Sequence, residues 1–167
     1  MTDRVMVLCI ASKHFDFVSL RIDEEFREIE NKVQRSPYRD LVELIPRSVD
    51  TNSQLATQLL RHRPHILHIS AHGYPAEVIP LADSNGETIL VSAREFATFI
   101  KSFKDNIRIV FFNVCSSKAC AEAVAEEIDF VIGLDGSIED VAAIDLSSAF
   151  YQALAFGRPV KEAFENG

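Results

Sequence analysis

Two short segments of the sequence end in residue types that could carry out nucleophilic chemistry. One reads HISAHG and ends in His72 and Gly73, and the other reads VFFNVCSS and contains Cys115. A free cysteine has a pKa of about 8.5, so it becomes a good nucleophile at neutral pH only where an imidazole or a helix N-terminus favours the thiolate. The imidazole can take the thiol proton and later protonate a leaving amine. The two segments are therefore compatible with acyl transfer, with Cys115 as nucleophile and His72 as general base; the alternative at this point is a buried cysteine and a hydrogen-bonded core histidine.

The backbone at the same two points could bind the oxyanion of that reaction. The amides of Gly73 and Cys115 are expected at exposed turns, and one well-placed donor is worth roughly 3–4 kcal/mol in a measured case. Glycine also lets the backbone approach a substrate closely. We therefore predict Gly73 and Cys115 as oxyanion-hole donors.

The elements that must position these residues follow an alternating pattern. Short apolar runs rich in branched residues alternate with amphipathic helical patterns, which predicts a mainly parallel sheet of five to six strands with helices on both faces. The apolar runs VIPLA and ETILV flank the turn DSNG and predict an inserted β-hairpin. Core strands are predicted over residues 4–10, 41–45, 65–70, 107–114 and 129–134, and helices over residues 20–33, 51–60, 92–103, 117–127 and 140–156.

Several local signals set the ends of these elements. Asp50 or Thr51 is predicted to cap the second helix, whose core face would contain Leu55, Leu59 and Leu60, and Pro46 is predicted to end the second strand. The sequence SARE is a capping box for the third helix. Ligands gather at the carboxyl ends of the strands in such sheets. If strands 65–70 and 107–114 are neighbours, ~4.8 Å apart, His72 and Cys115 face each other across a small cleft.

Composition excludes several functions. The 167 residues carry a net charge of −8, which disfavours direct binding to nucleic acid. No apolar run is long enough for a membrane span, and MTDRVMVLCIAS lacks the apolar core of a secretory signal, so we expect a cytoplasmic protein. Three cysteines, an odd number, fit a reducing compartment.

Cofactor and metal sites lack sequence support. The first strand runs into ASKH, without a glycine-rich loop or an acidic cluster, and no cofactor is expected. His62, His65, His68 and His72 lie close in sequence, but the first belongs to a helix, and His65 and His68 point to opposite faces of a strand. We predict no metal site.

The motifs resemble those of a known family. HISAHG resembles the H-x-S-G-H-G motif of CHAT domains, the caspase-like cysteine peptidases of prokaryotes (clan CD), and VFFNVCSS resembles their N-A-C-x-S motif. LRIDEEFREIE with SPYRDLVEL is similar to the family's first helix and second strand, and VIGLDGSIEDVAAIDLSSAFYQALAFGRPVKEAF to its closing segment. The resemblance covers nearly the whole chain. It implies a three-layer caspase-like fold over residues 1–167 and an endopeptidase with a Cys–His dyad, His72 as base, Cys115 as nucleophile and Gly73 as oxyanion donor.

The sequence departs from the family's pattern at three points. Ala71 stands where glycine is common, and Val114 replaces a small residue before the nucleophile; neither change removes a catalytic group. The chain also stops at Gly167, where relatives continue and often add a last strand, and an open sheet edge left there would be a docking site for a partner. The resemblance further implies a protein substrate, a regulatory protein or sensor domain, and a stress or antiphage response.

Two carboxylates near the predicted cleft have two interpretations each. Asp135 and Asp140 follow the fifth strand and could form a substrate pocket for a basic P1 side chain. The simpler interpretation of Asp135 is a turn residue before Gly136, and that of Asp140 is a helix N-cap. Residues 74–78 and 135–140 flank the cleft and are the expected movers if the site is latent.

The remaining polar residues and thiols receive simpler interpretations. The acidic run at residues 23–25 is predicted as a solvated first helical turn. His68 is predicted as a core histidine or as one hydrogen-bonded beneath the dyad. Cys9 is predicted in the core, and Cys120 as a packing residue or as a resolving thiol for Cys115.

Two other functions stay open. A non-catalytic interaction module would keep the fold and dock a partner along the sheet edge. A hydrolase using Ser116 or Ser117 is disfavoured because neither serine lies in a G-x-S-x-G elbow.

Overall fold

The computed structural model describes residues 4–11, 19–71, 78–83, 85–136 and 139–165. Strands and helices alternate along these ranges, as the apolar runs predict. The strands are β1 (Val5–Ala11), β2 (Val42–Ser48), β3 (Ile66–Ser70), β4 (Val78–Ala82), β5 (Thr88–Ser92), β6 (Ile109–Asn113) and β7 (Phe130–Ile132). The helices are α1 (Ser19–Gln34), α2 (Asn52–His62), α3 (Ala93–Lys101), α4 (Lys118–Ala125), α5 (Asp140–Ala155) and α6 (Val160–Glu165).

The main sheet has five strands in the order β2-β1-β3-β6-β7, and every neighbouring pair is parallel. Strands β4 and β5 form a separate antiparallel hairpin. The prediction of a mainly parallel α/β sheet with an inserted hairpin is confirmed. So is the adjacency of β3 and β6, whose register pairs Ser70 with Asn113.

Helices cover both faces of the sheet, because successive strand residues point to opposite sides. On one face, Leu67 and Ile69 pack with α2, α3, α4 and the hairpin. On the other face, Ile66 and Phe111 pack with α1, α5 and α6. The result is a three-layer α/β/α arrangement consistent with a caspase-like fold.

Two helix starts are set by side chains that the sequence identifies. Thr51 accepts a hydrogen bond from the Gln54 amide, and the Gln54 side chain binds back to the Thr51 amide. Ser92 and Glu95 form the same reciprocal pair at the start of α3. Each of these capping boxes gives hydrogen-bond partners to two backbone N–H groups at the helix start that would otherwise lack them.

Three local predictions are wrong. Pro46 does not end β2, because β2 is an edge strand, where a residue without an N–H is tolerated. Leu60 is 70% exposed rather than part of the core, since only Leu55 and Leu59 of α2 face the sheet. Asp140 is the first residue of α5 and not its N-cap, a position that Glu139 occupies without a side-chain hydrogen bond.

None of the helices within the described ranges combines the length and the apolar character that crossing a bilayer requires.

Candidate active site

Cys115 lies in the turn between β6 and α4. Strand β6 ends at Asn113, and α4 begins at Lys118 with Ser117 as its N-cap residue. Ser116 adopts a left-handed conformation with φ of 56°, which turns the chain sharply away from the sheet. Cys115 is half-buried, whereas Cys9 and Cys120 are buried. The thiol predicted as nucleophile is therefore the accessible one, at the carboxyl end of a central strand.

The other two thiols are buried, as predicted for Cys9 and as the packing interpretation of Cys120 expects. Cys120 lies on the buried face of α4 and belongs to the core. Cys9 lies on the opposite face of the sheet, where burial and then the nearby Glu25 carboxylate raise its pKa far above the ordinary range. Such a thiol is unreactive.

The turn that carries Cys115 is tied to the segment after β7. The Ser116 amide donates to the Gly136 carbonyl at 2.7 Å, and the Leu134 amide donates to Ser117 Oγ at 2.9 Å. The Ser116 amide therefore has a protein acceptor already and is not an oxyanion donor in this conformation.

Gly133 brings the same two segments into close contact. A Cβ added at Gly133 would lie 2.5 Å from the Cβ of Ala121 on α4. Only glycine therefore fits between the end of β7 and α4 without displacing one of them.

His72 and Gly73 lie outside the described residues, so their predicted roles stay predictions. The described chain reaches Ala71, one residue past β3. Because Ser70 is the register partner of Asn113, His72 and Cys115 each follow a paired residue by two positions. Ala71, Val114 and Cys115 line the same small cavity. The structure thus brings together the strand ends that lead into the predicted dyad.

That cavity is small and apolar. It measures about 10 Å³ and lies between the ends of β3 and β6 and the hairpin residues Val78 and Ile79. A single water needs roughly 10–15 Å³. This cavity cannot accept a substrate side chain as it stands.

The two predicted pocket carboxylates lie at the surface. Asp135 is exposed and forms an ion pair with Lys118, with Nζ and Oδ2 2.9 Å apart. Asp140 is exposed in the first turn of α5, where a carboxylate complements the helix dipole. A basic substrate group approaching Asp135 would compete with Lys118 for the carboxylate. The pocket role of both residues stays a prediction.

A buried polar cluster beneath the strand ends, the Glu25 cluster, contains Glu25, His68, Ser70, Asn113 and Tyr151. His68 Nε2 is 3.0 Å from Glu25 Oε1 and 2.9 Å from Ser70 Oγ, and His68 Nδ1 is 3.0 Å from the Tyr151 hydroxyl. Ser70 donates to Glu25 Oε2 at 2.7 Å, and Asn113 Nδ2 donates to Glu25 Oε1 at 2.6 Å. His68 is therefore hydrogen-bonded beneath the predicted dyad, one of the two alternatives that the sequence leaves open.

The prediction that Glu25 is solvated is wrong. It is 3% exposed and points from α1 towards the sheet. The helical period carries the missed signal, because Glu25 lies three residues after Ile22 and four before Ile29, both of which are buried. The signal is easily overlooked, because Glu25 follows two exposed acidic residues in sequence although it shares the buried face of Ile22 and Ile29.

Hydrogen bonding fixes the protons of the Glu25 cluster. Because Ser70 donates its only proton to Glu25, it can only accept from His68, so His68 Nε2 carries a hydrogen. Burial, together with the nearby Cys9 and Glu25, raises the pKa of Tyr151 well above its usual range, so its hydroxyl keeps its proton. Each polar contact of His68 is thus satisfied.

Glu25 is held in its charged form. Burial alone would raise the pKa of the Glu25 carboxyl, but its interaction with His68 and the hydrogen bonds from neighbouring side chains outweigh burial and lower the pKa below its usual value. The cluster therefore contains a buried carboxylate with several donors around it.

Ser70, His68 and Glu25 do not form a serine-hydrolase triad. In such a triad the carboxylate binds Nδ1 and the serine binds Nε2, whereas here both bind Nε2. His68 and Ser70 are at most 2% exposed, so no substrate reaches them. Within the described ranges, no group of three or more His, Cys, Asp or Glu side chains could hold a metal ion.

Comparison with known proteins points to proteases. No protein-family model matches the chain. A protein of Gillisia limnaea named "Probable protease" is 28% identical over 153 residues, which cover 90% of this chain and 27% of that protein. A "Roc-COR-CHAT protease" from an unknown prokaryotic organism is 24% identical over 161 residues, which cover 92% of this chain and 15% of that protein. The chain thus matches relatives named as proteases while spanning only 27% and 15% of their lengths.

Proposed function

We propose that this chain is a cysteine endopeptidase of the CHAT type that cleaves a protein substrate through a Cys115–His72 dyad. One observation carries the proposal: the accessible thiol stands on the turn after β6, beside the end of the strand that leads into His72 and Gly73. The names of the two relatives support the reaction class.

The proposed reaction proceeds in two steps. His72 accepts the Cys115 thiol proton as the sulfur attacks the scissile carbonyl carbon, and the oxyanion receives hydrogen bonds from the amides of Gly73 and Cys115. The C–N bond breaks, the amine leaves with the proton from His72, and an acyl-thioester remains on Cys115. A water molecule, deprotonated by His72, then hydrolyses the thioester and restores the thiol. No cofactor or metal takes part in this scheme.

Substrate selection is proposed to use the carboxylates beside the cleft. Asp135, with Asp140 further along, would bind a basic P1 side chain after Lys118 is displaced. The small cavity beside Cys115 supports latency, because it would have to widen before it could hold a substrate side chain.

Activation is proposed to come from a regulatory protein or a sensor domain within a bacterial stress or antiphage response in the cytoplasm. The length of the relatives supports this idea, since most of each relative lies outside the matched region. The proposed partners are proteins, with no direct contact to nucleic acid or membrane.

A non-catalytic interaction module is the second candidate. The small size of the cavity beside Cys115 favours it, because a module that only docks partners needs no room for a substrate side chain there. The two candidates differ in the reactivity of the thiol and not in the fold.

Cysteine alkylation tests the proposal directly. The folded protein is treated with iodoacetamide near pH 7, and the labelling of each cysteine is followed by mass spectrometry. The proposal expects Cys115 to react faster than Cys9 and Cys120, and His72→Ala to slow Cys115 specifically. Equal and slow labelling of all three thiols, unchanged by His72→Ala, would favour the interaction module.

A further inference from the structure

We propose that Glu25 is a positioning residue for this reaction: its buried carboxylate binds the ends of β3 and β6 together and so sets His72 and Cys115 in their relative places. This inference rests on the proposed function. Glu25 belongs to α1 and lies far from the proposed dyad in sequence. Its carboxylate forms hydrogen bonds with His68, Ser70 and Asn113.

The contacts of Glu25 reach both strand ends. Its two oxygens accept hydrogen bonds from Ser70, the last residue of β3, and from Asn113, the last residue of β6. Those residues are register partners, and each precedes a dyad residue by two positions. One carboxylate therefore spans the last pair of the β3–β6 ladder, immediately before the chain turns towards the dyad.

Asn113 depends on Glu25 for its orientation. A carboxylate only accepts hydrogen bonds, so the Asn113 amide must present Nδ2 to Glu25. Its Oδ1 is buried and has no hydrogen-bond partner within the described part of the chain. Glu25 is thus the contact that sets the amide plane two residues before Cys115.

The cluster is not the arrangement expected for stability alone. A buried carboxylate is costly to desolvate, and a well-packed apolar side chain of similar size is often equally stable or more stable. All other buried residues of α1 from Ile22 to Val33 are apolar. A charge at this one position, surrounded by donors from two strands, is better explained by the precise placement of those strands.

The test compares Glu25→Gln with the native protein and with a control of similar burial. Glutamine keeps the shape but places an N–H2 group against the donors of the cluster. The control is Leu59→Ala, which creates a cavity on the opposite face of the sheet. For each folded protein, we would measure the rate of Cys115 alkylation by iodoacetamide from pH 6 to 9 and the temperature of unfolding.

Glu25→Gln is expected to lower the alkylation rate of Cys115 at pH 7 about tenfold and to move its pH profile towards that of His72→Ala. Glu25→Asp, which keeps the charge, is expected to recover part of the native rate. Leu59→Ala is expected to lower the unfolding temperature without changing the pH profile. Once a cleaved substrate is in hand, Glu25→Gln is expected to lower kcat while KM changes less than twofold.

Two results would overturn the inference. One is a folded Glu25→Gln protein with the native alkylation profile. The other is an equal change in Cys115 alkylation in Glu25→Gln and Leu59→Ala, which would make the role purely structural. If Glu25→Gln does not fold, Ser70→Ala removes one hydrogen bond from the same carboxylate and must still shift the profile. Failure of the proposed function is recognised separately, because the native and His72→Ala proteins would then show the same slow labelling.

Discussion

Of the three thiols in this chain, Cys115 is the one that is not buried. Accessibility alone does not make a thiol a nucleophile, because its proton must still be removed. In the proposed mechanism the base that removes it is His72, which follows the end of the strand beside β6. At the scale of single residues, the proposed chemistry therefore depends on the identity of Cys115 and His72.

Replacing either member of the dyad is expected to abolish cleavage without unfolding the protein. Cys115→Ala removes the nucleophile and should lower kcat by about 10⁴-fold or more, and His72→Ala should come close to that loss. The measurement is cleavage of a cognate protein substrate, with circular dichroism of each variant as the control for folding. Full cleavage by the Cys115→Ala protein would contradict the assignment.

The charge on Glu25 makes stability depend on pH in a defined direction. The pKa of Glu25 is lower in the folded protein than its usual value of about 4.3. The unfolded chain therefore binds the proton first as the pH falls, and the contribution of Glu25 is present above about pH 4.3 and is lost as the pH drops through the folded pKa. Urea unfolding between pH 7 and pH 3 should show this loss.

The matched variant for that experiment is Glu25→Gln, which has no titrating group at this position. At pH 7 it should be less stable by about 3 kcal/mol, since it leaves buried donors without their charged acceptor. Its free energy of unfolding should fall less steeply below pH 4.3 than that of the native protein. Parallel pH curves for the two proteins would show that folding does not lower the pKa of Glu25.

At the scale of elements, much of the fold follows from local patterns. Alternating apolar runs and amphipathic helices predict the parallel sheet, and the capping sequences at Thr51 and Ser92 predict two helix starts. The rule that ligands gather at the carboxyl ends of strands leads to the turn at Cys115. The predictions of the sheet and of the helix starts succeed because the responsible interactions are short in range or belong to every parallel sheet, whereas the site at Cys115 stays a prediction.

The features that sequence reasoning missed depend on long-range packing. Whether Pro46 ends a strand depends on its lying at a sheet edge, which only the strand order reveals. The role of Glu25 depends on donors 45 and 88 residues away in sequence, at Ser70 and Asn113. The helical spacing from Ile22 and Ile29 indicates that Glu25 is buried. Nothing in the local sequence indicates that its carboxylate finds hydrogen-bond donors there.

The contact between β7 and α4 offers a test of how the Cys115 turn is held. Gly133→Ala should destabilise the protein by about 1–3 kcal/mol, because the new methyl group overlaps Ala121 Cβ. Adding Ala121→Gly should recover part of the loss by removing the second methyl group. Thermal unfolding of the two single variants and the double variant gives the interaction energy, and strict additivity would contradict the proposed contact.

Variants of the ion pair between Lys118 and Asp135 test substrate specificity without a large change in stability. Both side chains are exposed, so Lys118→Met should change the free energy of unfolding by less than about 1 kcal/mol. If Asp135 binds a basic P1 side chain, the same variant should raise kcat/KM for substrates with Arg or Lys at P1, and Asp135→Asn should lower it. Substrates with a neutral P1 residue serve as controls, and equal effects on both classes would exclude a pocket role for Asp135.

At the scale of the whole molecule, the two faces of the sheet have different parts in the proposed enzyme. The face covered by α1 and α5 contains the Glu25 cluster, which connects α1 to the strand ends. The other face contains the small cavity between the strand ends and the hairpin. In the proposed enzyme, the Glu25 cluster on one face holds the strand ends in place, and the cavity on the other face widens when a peptide binds.

The isolated chain is therefore expected to react with small reagents before it reacts with peptides. The cavity of about 10 Å³ beside Cys115 admits no substrate side chain, whereas iodoacetamide needs only the half-exposed thiol. A peptidyl acyloxymethyl ketone should accordingly modify Cys115 of the isolated chain no faster than iodoacetamide does. In a longer protein that contains this chain with its regulatory domain and the activating signal, the peptidyl reagent should gain at least about tenfold, because induced closure around a substrate assembles the site. Rapid modification of the isolated chain by the peptidyl reagent would show that the site is open from the start and that the flanking segments need no activation.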